Sequence, residues 1–160
     1  MQPRDIRFLR HVPKLDVTAT GEVIAAVTHP DLATDQNVSV LREFSAADQP
    51  SRLLTRGPDD SNPQLSSCGR WLAFLRPAPA TALDDSDPQA TFADAPQLHV
   101  VDARGGEARC VTQLPLGVRD FRWLPNAEAF VLSAEVPHVG SYRRDIPAAA
   151  QQPRDLPPYI

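Results

Sequence analysis

One unit of sequence occurs three times in the chain, and no other feature restricts its fold so strongly. In the first copy Val17-Thr-Ala-Thr-Gly21-Glu22 leads into the apolar run Val23-Ile-Ala-Ala-Val27. In the second, Leu65-Ser-Ser-Cys-Gly69-Arg70 leads into Trp71-Leu-Ala-Phe-Leu75, and in the third, Trp123-Leu-Pro-Asn126-Ala127-Glu128 leads into Ala129-Phe-Val-Leu132. A spacing of roughly 50 residues is the period of propellers and solenoids. Each copy reads as a tight β-hairpin, with glycine where the turn wants positive φ and Ala127 at that place in the third copy. The second strands do not alternate apolar with polar, and a short continuous apolar run between turn signals suggests a strand buried on both faces. A buried helix is the competing reading, but helices usually need about ten residues or more.

The first two copies continue with another strand pair. Val38 to Phe44 is followed by Ser51 to Thr55, and Gln97 to Asp102 by Ala108 to Thr112, the second pair across the turn signal Gly105-Gly106. Both copies close on a threonine after an apolar pair. The 17 prolines leave little room for long helices. Strands are expected near 15–19, 22–28, 37–44, 51–55, 63–67, 71–76, 97–102, 108–112, 119–124 and 129–134, paired as consecutive antiparallel hairpins. Four strands per unit is the composition of a propeller blade. The fold class expected is therefore all-β, an incomplete β-propeller of two four-stranded antiparallel blades plus part of a third. Blade units are placed at about 13–58, 63–117 and 118–136, with 137–160 as a proline-rich loop or linker. Ile24, Val27, Trp71, Leu72, Phe74, Phe121, Val131 and Leu132 are expected in the core, and Asp84 to Thr91 in an exposed, mobile loop.

These residues resemble a known family. Asn62-Pro-Gln-Leu-Ser-Ser-Cys-Gly-Arg-Trp-Leu-Ala-Phe-Leu75 is similar to the turn-and-strand motif xPxxSPDGRxLAF of TolB-like and WD-like propeller repeats, with Cys68 in place of the usual aspartate. Gln97 to Asp102, Gly105-Gly106-Glu107 and Val111-Thr112 resemble the second half of that repeat. The order of the units, with the tail Tyr142 to Arg154, is similar to the N-terminal propeller of prolyl-oligopeptidase-family serine peptidases, in particular the acylaminoacyl-peptidase and dipeptidyl-aminopeptidase branch. The resemblance implies a non-catalytic propeller segment that gates and selects peptide substrates for a C-terminal α/β-hydrolase domain. The alternative is a stand-alone interaction module whose blades are completed by a partner or by self-association.

No residue is assigned a catalytic role. The nucleophile elbow G-x-S-x-G of such hydrolases is missing, and Ser141 after Gly140 continues into Tyr142-Arg143. Phosphate-binding, dinucleotide-binding and H-E-x-x-H motifs are missing too. His11, His29, His99 and His138 have no ligand spacing, and Asp84-Asp85-Ser-Asp87 lacks the alternation and terminal glutamate of a calcium loop. No cofactor, no metal site and no substrate-binding residue is therefore named. Trp71 and Trp123 are read as packing between blades. Cys68 and Cys110 match neither a zinc knuckle nor a redox pair, and are read as isolated structural thiols. A net charge of −4 with dispersed Lys and Arg, the pair Arg143-Arg144 included, argues against nucleic acid as a partner. The charged segment Met1 to Lys14 fits no secretory signal, and no apolar stretch approaches the roughly 20 residues of a membrane span. A cytoplasmic location is the default expectation.

Overall fold

The computed structural model describes residues 3–18, 20–45, 48–57, 59–77, 95–126 and 129–135. The expectations for Asp84 to Thr91, His138, Ser141, Arg143-Arg144 and 137–160, and for the turn at Ala127, lie outside the described residues. A 3-10 helix, Pro3–Phe8, precedes ten strands. The first sheet runs β1 (His11–Val17), β2 (Val23–Asp31), β3 (Gln36–Phe44), β4 (Arg52–Leu53), and the second β5 (Ser61–Leu65), β6 (Trp71–Pro77), β7 (Pro96–Asp102), β8 (Arg109–Cys110). A third sheet pairs β9 (Val118–Trp123) with β10 (Phe130–Ala134). Every pairing is antiparallel between consecutive strands. The fold is all-β, with four-stranded antiparallel sheets stacked as propeller blades.

The repeat is kept at the level of single hydrogen bonds. Thr55 and Thr112, the closing threonines, each accept a bond from the third strand of their own sheet, from Leu41 N at 3.1 Å and from Leu98 N at 2.9 Å. Beside them Leu54 N donates to Leu41 O and Val111 N to Leu98 O. These hydroxyls hold a last strand that is only two residues long in each sheet, shorter than the 51–55 and 108–112 expected. β1 begins earlier than expected, at His11.

The turns that open each unit differ by one residue. Thr18 N bonds to Glu22 O in the first, whereas Ser66 N bonds to Trp71 O in the second and Leu124 N to Ala129 O in the third. The structural equivalents are thus Glu22, Trp71 and Ala129, not Val23 and Trp71 as the sequence alignment suggests. Trp71 closes a turn and is only half-buried for that reason. Gly69 supplies the positive φ of +71° that this turn needs.

Corrected in this way, each sheet has a leading face that meets the next sheet and a trailing face that meets the one before. Ile24, Ala26 and Leu41, on the leading face of the first sheet, pack with Leu72, Phe74 and Val101 on the trailing face of the second. Ala73, Leu75 and Leu98, on the opposite face of the second sheet, pack with Val118 and Phe121 of the third. Alternate residues of β6 therefore serve two interfaces, which is why the run Leu72 to Leu75 is apolar throughout.

Besides the half-buried Trp71, two expected core residues are exposed. Val131 is 59% and Leu132 39% exposed. Val131 is the equivalent of Ile24 and Ala73 on the leading face, where no further sheet lies among the described residues. Leu132 sits on a strand that pairs only with β9 there.

Replacing Leu72 by alanine should cost about 2–5 kcal/mol, as for other buried leucines. Val131→Ala should stay within about 0.5 kcal/mol, the range of surface positions. Urea denaturation of both variants checks the pair, and a loss below about 1 kcal/mol for Leu72→Ala would show that β6 is not the shared core.

Candidate functional site

The first strands of the three sheets pack in succession, β1 against β5 and β5 against β9. They form the inner wall toward which the blades converge. Three polar residues stand at equivalent positions on this wall, Lys14, Asn62 and Asp120, and three more stand two residues further on, Asp16, Gln64 and Arg122. Three of them, Asp16, Asn62 and Gln64, bridge to the next sheet where the apolar interface ends. Asp16 Oδ2 accepts from Leu65 N at 2.7 Å, Asn62 Nδ2 donates to Asp120 Oδ1 at 2.9 Å, and Gln64 Nε2 donates to Phe121 O at 2.8 Å. Trp123 Nε1 returns a bond to Gln64 O at 3.1 Å while its ring packs 4.1 Å from that of Phe130.

Asn62 adopts a φ of +50°, a conformation asparagine tolerates better than most residues. Its amide is the main reason the Asp120 carboxyl is held below the usual carboxylate range, helped by the Phe121 N–H, Arg122 and Lys14. The wall thus offers the cations Lys14 and Arg122, the anions Asp16 and Asp120 and two amides. Among the described residues it contains no nucleophile paired with a base. The six residues were missed in the sequence because attention fell on the apolar second strands. Their equal distances before the turns were the available signal.

A second polar group lies between the first two sheets. Asp60 is fully buried, and its carboxylate receives Arg76 Nε at 2.6 Å and Nη2 at 3.0 Å. Its backbone is tied to β3, since Asp60 N donates to Ser39 O at 3.0 Å and Ser39 Oγ donates to Asp60 O at 2.8 Å. This bidentate bond raises the pKa of the Arg76 guanidinium, which also stands 5.1 Å over the Phe74 ring. Gly57 leaves the space for it: a Cβ there would lie 2.3 Å from Arg76 Cζ. His99 stacks on Phe74 at 5.7 Å, with Nδ1 3.1 Å from Gln97 O. Burial pushes its pKa below 6.5, and the Arg76 charge adds to that.

The other residues singled out are scattered. Cys68 and Cys110 are free and exposed, so neither is a core thiol. Cys68 Sγ lies 3.3 Å from Ser66 Oγ in the β5–β6 turn, and this hydrogen bond leads the lowering of its pKa. His11 is exposed and His29 half-buried. Among the described residues no three His, Cys, Asp or Glu side chains are grouped to hold a metal ion, and no helix is long and apolar enough to cross a membrane.

Comparison with known proteins places this wall in context. No family model matches the chain. An uncharacterized peptidase, YuxL, of Bacillus subtilis (strain 168) is 33% identical over 76 residues, which are 48% of this chain and 10% of the relative. The acylaminoacyl peptidase of Pyrococcus horikoshii superposes with a TM-score of 0.56 at 16% identity, over 79% of this chain and 17% of its own. An acylaminoacyl peptidase in complex with Z-Gly-Gly-Phe-chloromethyl ketone gives 0.58 at 15%, over 79% and 18%. The β-propeller domain of the Trilobed protease from Pyrococcus furiosus, described as having an open velcro topology, gives 0.56 at 15%, over 87% and 36%. The chain spans about a tenth of the curated relative and between a sixth and about a third of these structures. The resemblance read from the repeat, to the propeller portion of a prolyl-oligopeptidase-family peptidase, is borne out by these neighbours, and the fold is that of a β-propeller.

Burial lowers the pKa of His99 in the folded protein below the ordinary value of 6.5 that it has in the unfolded chain. The unfolded state therefore binds more protons below that pH. Stability should be level above about pH 6.5 and fall as the pH drops through it. In His99→Phe this part of the slope should vanish. Urea midpoints between pH 5 and 8 check it, and an unchanged slope in the variant would overturn the assignment.

Proposed function

We propose that the chain is a propeller segment of a prolyl-oligopeptidase-type serine peptidase, and that its inner wall restricts and orients the peptides reaching a separate hydrolase domain. The observation that carries this reading is the superposition of the stacked sheets on acylaminoacyl peptidases over four fifths of the chain. The wall chemistry supports it. Side chains of both charges and amides at matching heights on β1, β5 and β9 suit an extended peptide, whose backbone offers donors and acceptors throughout. Nothing in these residues performs acyl transfer, which requires a serine, a histidine base and an oxyanion hole. The chain selects and the partner domain cuts. In this reading peptides are the substrates, and the protein works without a cofactor in the compartment of its parent enzyme, which we place in the cytoplasm.

The purified chain should not hydrolyse acylated or free aminoacyl-nitroanilides. In a polypeptide that joins it to a G-x-S-x-G hydrolase domain, Lys14→Ala with Arg122→Ala should change the relative kcat/KM of short and long peptides while leaving small nitroanilides unaffected. Equal effects on both substrate sizes would refute selection by the wall, and turnover by the purified chain itself would refute the division of labour.

A further inference from the structure

We propose that the seam between the first and second sheets is an acid-sensitive joint, with His99 as its trigger. His99 stands on the trailing face of the second sheet, in register with Phe74 of β6 on one side and Cys110 of β8 on the other. The first sheet covers that face, and only 9% of His99 is exposed. Its ring stacks on Phe74, and Nδ1 lies 3.1 Å from the Gln97 carbonyl. A carbonyl only accepts, so Nδ1 carries the proton of the neutral ring and Nε2 is bare. A second proton would go to Nε2, and among the described residues no hydrogen bond holds that nitrogen.

The surroundings of the ring make the closed seam a poor place for that proton. From β6, Arg76 brings a fixed cation. From the segment before β5, Asp60 brings an anion, but both of its carboxylate oxygens are already engaged by Arg76, Nε at 2.6 Å and Nη2 at 3.0 Å. β8 brings the uncharged Cys110 thiol. On the covering face of the first sheet, β2 and β3 present Ala26, Thr28, Ser39 and Leu41 and no charge at this height. Glu43, further along β3, is bound to Arg52, whose guanidinium also reaches the Ala103 carbonyl. Burial, with Arg76 adding to it, thus outweighs the Gln97 carbonyl and Asp60 and lowers the pKa of the ring. Parting the two sheets returns the ring to water and to its ordinary value, so acid favours the parted form. The sheets are suited to part as units. Each is laddered internally, whereas among the described backbone bonds Asp60 N to Ser39 O is the one that crosses this seam. Overall acid sensitivity alone would not distinguish this joint from unfolding of the whole chain, but the crossing bond does. The inference stands whether or not the peptidase reading holds.

Amide hydrogen exchange, resolved by residue with NMR and corrected for the intrinsic pH dependence of exchange, tests the joint at about pH 7.5 and about pH 5.5. The Asp60 N–H should exchange faster at the lower pH, by up to about tenfold, the limit set by a ring that titrates at 6.5 once the seam is parted. Amides inside the β2–β3 and β6–β7 ladders should keep their protection. In His99→Phe, whose ring still stacks on Phe74 but takes up no proton, the Asp60 N–H should exchange alike at both pH values. Circular dichroism checks that the variant is folded, and His99→Gln, equally unable to take up a proton in this range, replaces it if it is not. Acceleration shared by the ladder amides would show that His99 acts only through unfolding of the whole chain, and it overturns the proposal. So does an acceleration that persists in the folded variant, or a wild-type Asp60 N–H that is indifferent to pH.

Discussion

Among the described residues the second sheet buries both of its faces, one against the first sheet and one against the third, and the rest of the structure is arranged around that constraint. A sheet with one solvated face would alternate apolar and polar residues. β6 cannot, because Leu72 and Phe74 close the contact with the first sheet while Ala73 and Leu75 close the contact with the third. Sheets stacked in this way leave polar chemistry only at their inner strands, their rims and their turns. The bridges from Asp16, Asn62 and Gln64 therefore lie where the apolar interface stops.

The buried pair of Asp60 and Arg76 shows how a polar group can enter such an interface. Removing Arg76 would leave the fully buried Asp60 carboxylate without its ion-pair partner, and one-sided loss of a buried pair is strongly destabilising. In the first sheet the equivalent positions are Val12 and Val27, an apolar pair of smaller volume that lines an open groove. The same two backbone positions thus hold an ion pair in the second sheet and valines in the first. The ion pair also ties sheets together through Ser39, which bonds the Asp60 backbone on both its N–H and its C=O.

The blades were legible in the sequence because their signals are local and repeated: a turn glycine, an apolar run, a Gly-Gly turn and a closing threonine. The hydroxyls of Thr55 and Thr112 do in the structure what their repetition suggested, each accepting a backbone bond that holds a two-residue strand in place. Register was less legible. Aligning Gly21 with Gly69 ignores that the second turn is one residue longer, and a slip of one residue exchanges the two faces of a strand. Val131 was misplaced for another reason. An apolar residue at a leading position reads as core, yet whether it is buried depends on a neighbouring sheet that periodicity cannot supply. The inner wall was not read at all, because Lys14, Asn62 and Asp120 share a position but not a residue type.

That difference in residue type separates architecture from function here. Positions that pack one sheet on the next repeat their character, Ile24 with Ala73 and Val131, or Leu41 with Leu98, because each must meet the same kind of surface. Positions on the inner wall repeat only their polarity. Lysine, asparagine and aspartate succeed one another at one height, and aspartate, glutamine and arginine at the next, so the wall carries a sequence of charges around the axis that packing does not demand. The inter-sheet bonds would be served by amides alone, as Gln64 shows. Charges in place of amides add long-range fields, which steer a charged ligand before contact and discriminate its orientation.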